Sequence, residues 1–122
     1  MVSKVQKAYF WSESFAIVKA KSVPKDFFAI IKDKSELTVV IEESKLNEVS
    51  AFGVEAGYKL LTFDMTLPFG MVGFLSRIST ALADEKISIL AFSSFSTDHL
   101  MVKQDDADRT KKVLRKLGFE VA

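Results

Sequence analysis

Between Tyr58 and Lys103 the hydrophobic period of the chain changes twice, and no single type of secondary structure accommodates that change. Residues 58–66 alternate, with Leu61, Phe63 and Met65 on one face and Leu60, Thr62, Asp64 and Thr66 on the other, as in a strand. Pro68 ends that strand because it lacks a ladder donor. From about Gly70 to Ala83 the apolar residues Met71, Phe74, Leu75, Ile78 and Leu82 recur at spacings of three and four. This predicts an amphipathic helix with one apolar stripe. Asp84-Glu85-Lys86 is a polar exit. Residues 87–95 (ISILAFSSF) start apolar and turn polar, then Ser96-Thr97-Asp98 leads into a short strand from His99 to Lys103.

The chain continues with a second helix over roughly 106–117, for which Asp105 is a suitable N-cap. Ala107, Thr110, Val113, Leu114 and Leu117 form its inward face. Asp105 with Arg109, and Asp108 with Lys112, stand four apart with the acid leading. Gly118 stops the helix, and Phe119-Glu120-Val121 reads as a last strand. The order is therefore β-α-β-β-α-β. Two right-handed crossings give a four-stranded antiparallel sheet with both helices on one face, an α+β fold.

The first half is richer in strands than in helix. Val5 to Trp11 and Phe15 to Ala20 are strand formers, with Ser12-Glu13-Ser14 expected as a turn or kink. Pro24 heads a predicted single helical turn. FFAII and ELTVVIE around Asp33-Lys34-Ser35 predict a hairpin. Glu43 to Val49 is expected as one loose helical turn or a loop, and Gly53 and Gly57 are expected to bracket a loop. The chain thus divides into a reduced β-rich half, residues 1–57, and a second half, residues 58–122.

Composition narrows the function. The formal net charge is +1, with eight basic and eight acidic side chains before residue 58 and nine and eight after it. Neither half has the basic excess of a nucleic-acid binder. The chain has no cysteine, which excludes disulfides, thiolate metal sites and cysteine nucleophiles. No apolar run reaches the roughly 18 residues of a membrane span, and no signal-peptide core opens the chain. A soluble, cytoplasmic protein with no membrane partner is the expectation. The single histidine, His99, reads as a turn residue with an exposed ring, without a serine-histidine-acid spacing. No metal-ligand pattern, phosphate loop or dinucleotide fingerprint is present. His99-Leu100-Met101-Val102-Lys103 carries no aromatic platform for stacked bases. No cofactor, metal or nucleic acid is implied.

What the residues do offer is recognition of a small amphoteric molecule. The helix start at Gly70, Met71 and Val72 presents backbone N–H groups and the positive end of a helix dipole, which suit a carboxylate. Ser93, Ser94, Ser96, Thr97 and Asp98 offer hydroxyls, carbonyls and one carboxylate, which suit an ammonium group. The alternative is that Gly70 only eases the helix start and the Ser/Thr/Asp run is ordinary turn chemistry.

The stretch GYKLLTFDMTLPFGMVGFLSRISTALADEKISILAFSSFSTDHLMVK resembles the ACT domain, in particular the small ACT-like proteins related to the CASTOR arginine sensors and the regulatory region of aspartate kinase. LPFGMVGFLSRIST and ISILAFSSFSTDHLMVK carry the likeness, and DFFAIIKDKSELTVVIEE fits an N-terminal ACT-like half. It covers roughly residues 14–121. The resemblance implies a ferredoxin-like domain that binds an amino acid at an interface between ACT domains, paired as a homodimer and without catalysis of its own. Carried onto this chain, the ligand-contacting positions are Phe69, Gly70, Met71, Val72, Ser93, Ser94, Phe95, Thr97 and Asp98. No enzyme domain is attached, so a regulated enzyme would be met in trans. A dimerisation or protein-interaction module without a ligand is the alternative.

Overall fold

The computed structural model describes residues 6–68 and 70–122. Among these, the elements in chain order are β1 (Gln6–Ala20), β2 (Ala29–Lys32), β3 (Leu37–Glu42), β4 (Ala51–Phe63), α1 (Phe74–Asp84), β5 (Leu90–Ser93), β6 (Asp98–Lys103), α2 (Ala107–Lys116) and β7 (Phe119–Val121). Short 3-10 turns occupy Glu43–Glu48 and Gln104–Asp106. The chain forms two compact units. One holds the chain up to Trp11 together with Lys59–Ala122, and the other holds Ser12–Tyr58. β1 and β4 each contribute one end to each unit.

In the unit 12–58 the strand order is β2-β3-β1-β4. The β2–β3 hairpin pairs Ala29 with Val40 through to Lys32 with Leu37, as the sequence predicts. Its turn is held by Asp33, whose carboxylate accepts from the N–H groups of Ser35 and Glu36, each at 2.8 Å. Those two bonds hold the Asp33 carboxyl below its ordinary value. Ala16, Val18, Ala20, Val39 and Ile41 form the buried core.

Three expectations for the first half are corrected. Ser12-Glu13-Ser14 makes no turn, and β1 runs through it unbroken. The inward residues Ala8, Phe10, Ala16, Val18 and Ala20 are all even-numbered, so the alternation never resets across the triplet. Pro24 starts no helix, and residues 21–28 are irregular chain with bends. Nucleating a helix for a single turn is unfavourable, and Lys45 instead holds Asp26 and Glu42 in ion pairs. Gly53 and Gly57 bracket no loop either, because β4 passes through both. Gly57 takes φ 86°, a backbone state that favours glycine, and its N–H donates to Glu43 Oε2 at 2.6 Å. The glycine thus serves the interior of the strand and not its end.

In the other unit the order is β5-β6-β4-β1-β7. β5 and β6 are antiparallel, from Leu90 opposite Met101 to Ser93 opposite Asp98. β7 lies parallel to the start of β1, with Gln6 opposite Phe119 and Ala8 opposite Val121. The expected four-stranded antiparallel sheet is thus corrected to five strands. The start of β1 stands between β4 and β7, and Lys7 O accepts from Asp64 N–H at 2.8 Å. A β-rich segment beside an open edge gains a full row of backbone bonds by pairing there.

Both helices cover one face of this sheet. Ile78, Leu82 and Leu114 share a buried cluster with Leu61, Phe63, Leu100 and Val102. α1 starts at Phe74 and not at Gly70, with Gly73 at its N-cap position in the left-handed region at φ 89°. Asp105 is not an N-cap, because a 3-10 turn intervenes and Asp106 takes that position. Arg109 pairs with Asp106 at 2.8 Å, three residues away, and not with Asp105. Gly118 ends α2 as predicted, donating to Arg115 O at 3.0 Å. At the centre, Phe63 meets Phe74 at a ring distance of 5.1 Å and Phe119 at 5.5 Å, both within the range of favourable aromatic pairs. Phe63→Ala removes a fully buried ring from this cluster and is expected to lower the unfolding free energy by roughly 3–5 kcal/mol. Urea denaturation measures this, and a loss below about 1 kcal/mol would contradict the packing described.

Candidate functional site

The segment from Asp64 to Gly73 joins β4 to α1, and the segment from Ser94 to Thr97 joins β5 to β6. The two are tied directly: Leu67 N–H donates to Ser96 O at 2.7 Å. Thr97 Oγ1 donates to Phe63 O at 2.5 Å, anchoring the turn to the end of β4. Ser94 N–H closes the turn on Thr97 O at 2.9 Å. A cavity of about 280 Å³ lies between them, with the start of α1 as its third side.

The cavity brings together six of the positions predicted from sequence: Met71, Ser93, Ser94, Phe95, Thr97 and Asp98. Gly70 and Val72 do not line it, and Val72 is 95% exposed. Phe69 lies outside the described residues. The lining also includes Gly73, Phe74, Leu75 and Ser76, which sequence reasoning did not place there. Their displacement follows from the later helix start. Met71 N–H is taken by Pro68 O at 3.0 Å, within the bend that precedes α1. The first intrahelical bond runs from Arg77 N–H to Gly73 O at 3.0 Å. The first-turn N–H groups are therefore those of Phe74, Leu75 and Ser76, at the positive end of the helix dipole. No acidic side chain occupies that first turn and no side chain caps it. The signal for this shift was Gly73, the second glycine of the corner.

The opposite wall is built from oxygen acceptors. Ser93 Oγ donates to Asp98 Oδ1 at 2.6 Å, and Ser94 Oγ donates to Thr97 O at 3.2 Å. Asp98 is the one charged side chain that lines the cavity among the described residues. Leu67, Pro68, Met71, Phe74, Leu75 and Phe95 add apolar lining, and Ser76 and Ser96 add further hydroxyls. The arrangement offers donors on the first turn of α1, acceptors and a negative charge on Ser93 to Asp98, and apolar side chains beside both. Among the described residues no three His, Asp or Glu side chains form a metal-binding group. No helix among them is long and apolar enough to cross a membrane.

His99 departs from its expected place. It is not an exposed turn residue: it lies on β6 with 8% of its surface exposed. Its Nδ1 is 2.9 Å from Thr62 Oγ1, and its Nε2 is 3.1 Å from Ser94 Oγ. Burial pushes its pKa below the ordinary histidine value, and the Asp98 carboxylate opposes that in part. In the unfolded chain the ring takes up a proton near pH 6.5, and in the folded protein only at lower pH. Unfolding therefore binds a proton in that window, and the contribution to stability is complete above about pH 6.5 and lost as pH falls below it. Thermal melts of the wild type are expected to fall between pH 7.5 and 5.5. His99→Gln, which cannot titrate, is expected to show a smaller fall over the same window.

A model of the ACT domain matches residues 53–116. No curated protein matches the sequence. Among solved structures, a protein of Agrobacterium tumefaciens superposes with a TM-score of 0.82 at 22% identity, covering 98% of this chain and 94% of that one. A C-terminal regulatory domain of aspartate kinase from Porphyromonas gingivalis gives 0.64 at 15% identity, covering 95% and 99%. The aspartate kinase of Clostridium acetobutylicum, described as an allosteric enzyme, gives 0.69 at 13% identity, covering 91% of this chain and 34% of that one. At these identities the likeness is one of fold.

Proposed function

The chain belongs to the ACT domain family, and on that premise we propose that it is a non-enzymatic regulatory module that binds an amino acid in the cavity between the β4–α1 corner and the β5–β6 turn. The carrying observation is that the corner, the first turn of α1 and the residues Ser93 to Asp98 line one cavity with donors and acceptors on separate segments. The ligand carboxylate meets the N–H groups of Phe74, Leu75 and Ser76. Its ammonium group meets Asp98 and the turn oxygens. A volume of about 280 Å³ is at the small end for ligand sites, which suits a single amino acid better than a nucleotide.

The site is completed by a second copy of the chain. Phe95, which lines the cavity, is 81% exposed, and Val72, next in sequence to the lining residues Met71 and Gly73, is 95% exposed. Apolar groups of that size beside a ligand site fit an interface better than open water. In this reading the homodimer places its ligand between ACT domains, and the occupied dimer acts on a separate enzyme in trans. The fold shared with aspartate kinase regulatory domains supports a regulatory role.

A thermal-shift screen of the twenty amino acids, on protein refolded to remove carried-over ligand, tests this. A ligand at about a hundred times its dissociation constant stabilises by roughly 2.7 kcal/mol. That corresponds to a rise in Tm of several degrees, and Asp98→Asn is expected to abolish it. A flat response to all twenty would leave only a dimerisation module, whose association sedimentation would show to be indifferent to amino acids.

A further inference from the structure

Ser94 stands at the outer end of a chain of hydrogen bonds that begins at Trp11. Trp11 Nε1–H donates to Thr62 Oγ1 at 2.8 Å. Thr62 Oγ1 meets His99 Nδ1, His99 Nε2 meets Ser94 Oγ, and Ser94 Oγ donates to Thr97 O. A hydroxyl has one proton to give. Ser94 gives its proton to Thr97 O, so the contact with His99 must be donated by the ring, from Nε2–H. With the ring proton on Nε2, Nδ1 is an acceptor, and the Thr62 hydroxyl donates to it while accepting from Trp11. With this assignment every proton in the chain of bonds has an acceptor.

The consequence reaches the cavity. A hydroxyl that already donates to Thr97 and accepts from His99 has one lone pair left, so it can only accept from a ligand. We propose that His99 is a positioning residue for this cavity, acting as the Nε2–H tautomer to hold the Ser94 hydroxyl as an acceptor for the ammonium group of the ligand. This rests on the amino-acid reading above and adds to it a cause for the polarity of one wall.

The same geometry makes binding sensitive to pH. A protonated ring donates from Nδ1 as well, toward a Thr62 oxygen that already accepts from Trp11, and the Thr62 proton loses its acceptor. The new charge also lies two hydrogen bonds, through Ser94 Oγ, from the ligand ammonium. Asp98, beside His99 on β6, is the charged group that acts on the ring. Thr62 on β4, Trp11 on β1, Phe92 opposite on β5 and Ser94 on the turn carry no charge. Acidification through the histidine range therefore weakens binding.

Two measurements test this. In the ligand-free protein, nitrogen NMR of the His99 ring is expected to report the Nε2–H tautomer, with signals that shift in Ser94→Ala. The Nδ1–H tautomer, or signals indifferent to Ser94→Ala, would overturn the inference whatever the ligand. Calorimetric titration with each of the twenty L-amino acids then reads the functional half. Ser94→Ala and His99→Asn are each expected to weaken binding by about tenfold or more, and the double variant no more than either alone. His99→Gln, whose amide nitrogen reaches the position of Nε2, is expected to retain affinity and to lose the acid weakening seen in the wild type. Multiplying losses, wild-type affinity in Ser94→Ala, or no acid weakening in the wild type would overturn the inference. If His99→Asn fails to fold, Ser94→Ala and His99→Gln decide. Wild-type protein that binds none of the twenty refutes the amino-acid reading and the ligand half of this inference, while the ring signals still decide the His99–Ser94 contact.

Discussion

The ring of Phe63 packs edge-on against Phe74, and its carbonyl accepts the hydroxyl proton of Thr97. One residue thereby holds two walls of the cavity. Phe74 is the first residue of α1, so the aromatic contact sets where the helix begins and where its first-turn N–H groups point. Thr97 is the last residue of the turn, so the carbonyl contact sets the height of the acceptor wall. The ring is fully buried among Leu61, Ile78, Leu100 and Phe119, which makes it a fixed reference for both. A cavity assembled from two loops would otherwise depend on segments with little packing of their own.

Most of the architecture was legible because it depends on periodicity. The hairpin and Gly118 appear in the structure as read, as do Phe74, Ile78 and Leu82 of the predicted stripe and Leu61 and Phe63 of the alternating strand, while Met71 and Leu75 are exposed and β4 ends at Phe63, not at Thr66. The position of β7 was not legible. Phe119-Glu120-Val121 announces a strand, but nothing local says that its partner is the start of β1, more than a hundred residues earlier. The continuity of β1 through Ser12-Glu13-Ser14 was not legible either, because Ala8 to Trp11 and Phe15 to Val18 are apolar at both parities and carry no alternation to follow across the triplet.

The candidate site shows the same division. The run Ser93 to Asp98 was visible as hydroxyl and carboxylate chemistry beside a turn, and it lines the cavity. The donor end was misplaced by about one helical turn. Gly70 and Gly73 are both plausible helix starts by composition, and only the backbone separates them: Gly73 takes φ 89° and Gly70 does not take a positive φ. A residue in the left-handed region cannot belong to a right-handed α-helix, so α1 begins after Gly73. His99 was misread for a related reason. A histidine next to an aspartate at a turn suggests exposure, and its burial depends on β6 lying between β4 and β5.

The place of His99 bears on what kind of protein this is. A general base needs a nitrogen that can take a proton from a substrate during the reaction. Here each ring nitrogen already lies within hydrogen-bond distance of a hydroxyl, Thr62 Oγ1 at 2.9 Å and Ser94 Oγ at 3.1 Å. Taking up a proton would unpair the Thr62 hydroxyl, at the cost of a buried donor without an acceptor. Such a ring is well placed to orient a neighbour and poorly placed to turn over a substrate. Asp98 is likewise held by Ser93, in the manner of a group that recognises a charge. The first-turn N–H groups of α1 and the oxygens of the β5–β6 turn thus give the cavity two walls of opposite polarity, and His99 ties one of them to β4 through Thr62.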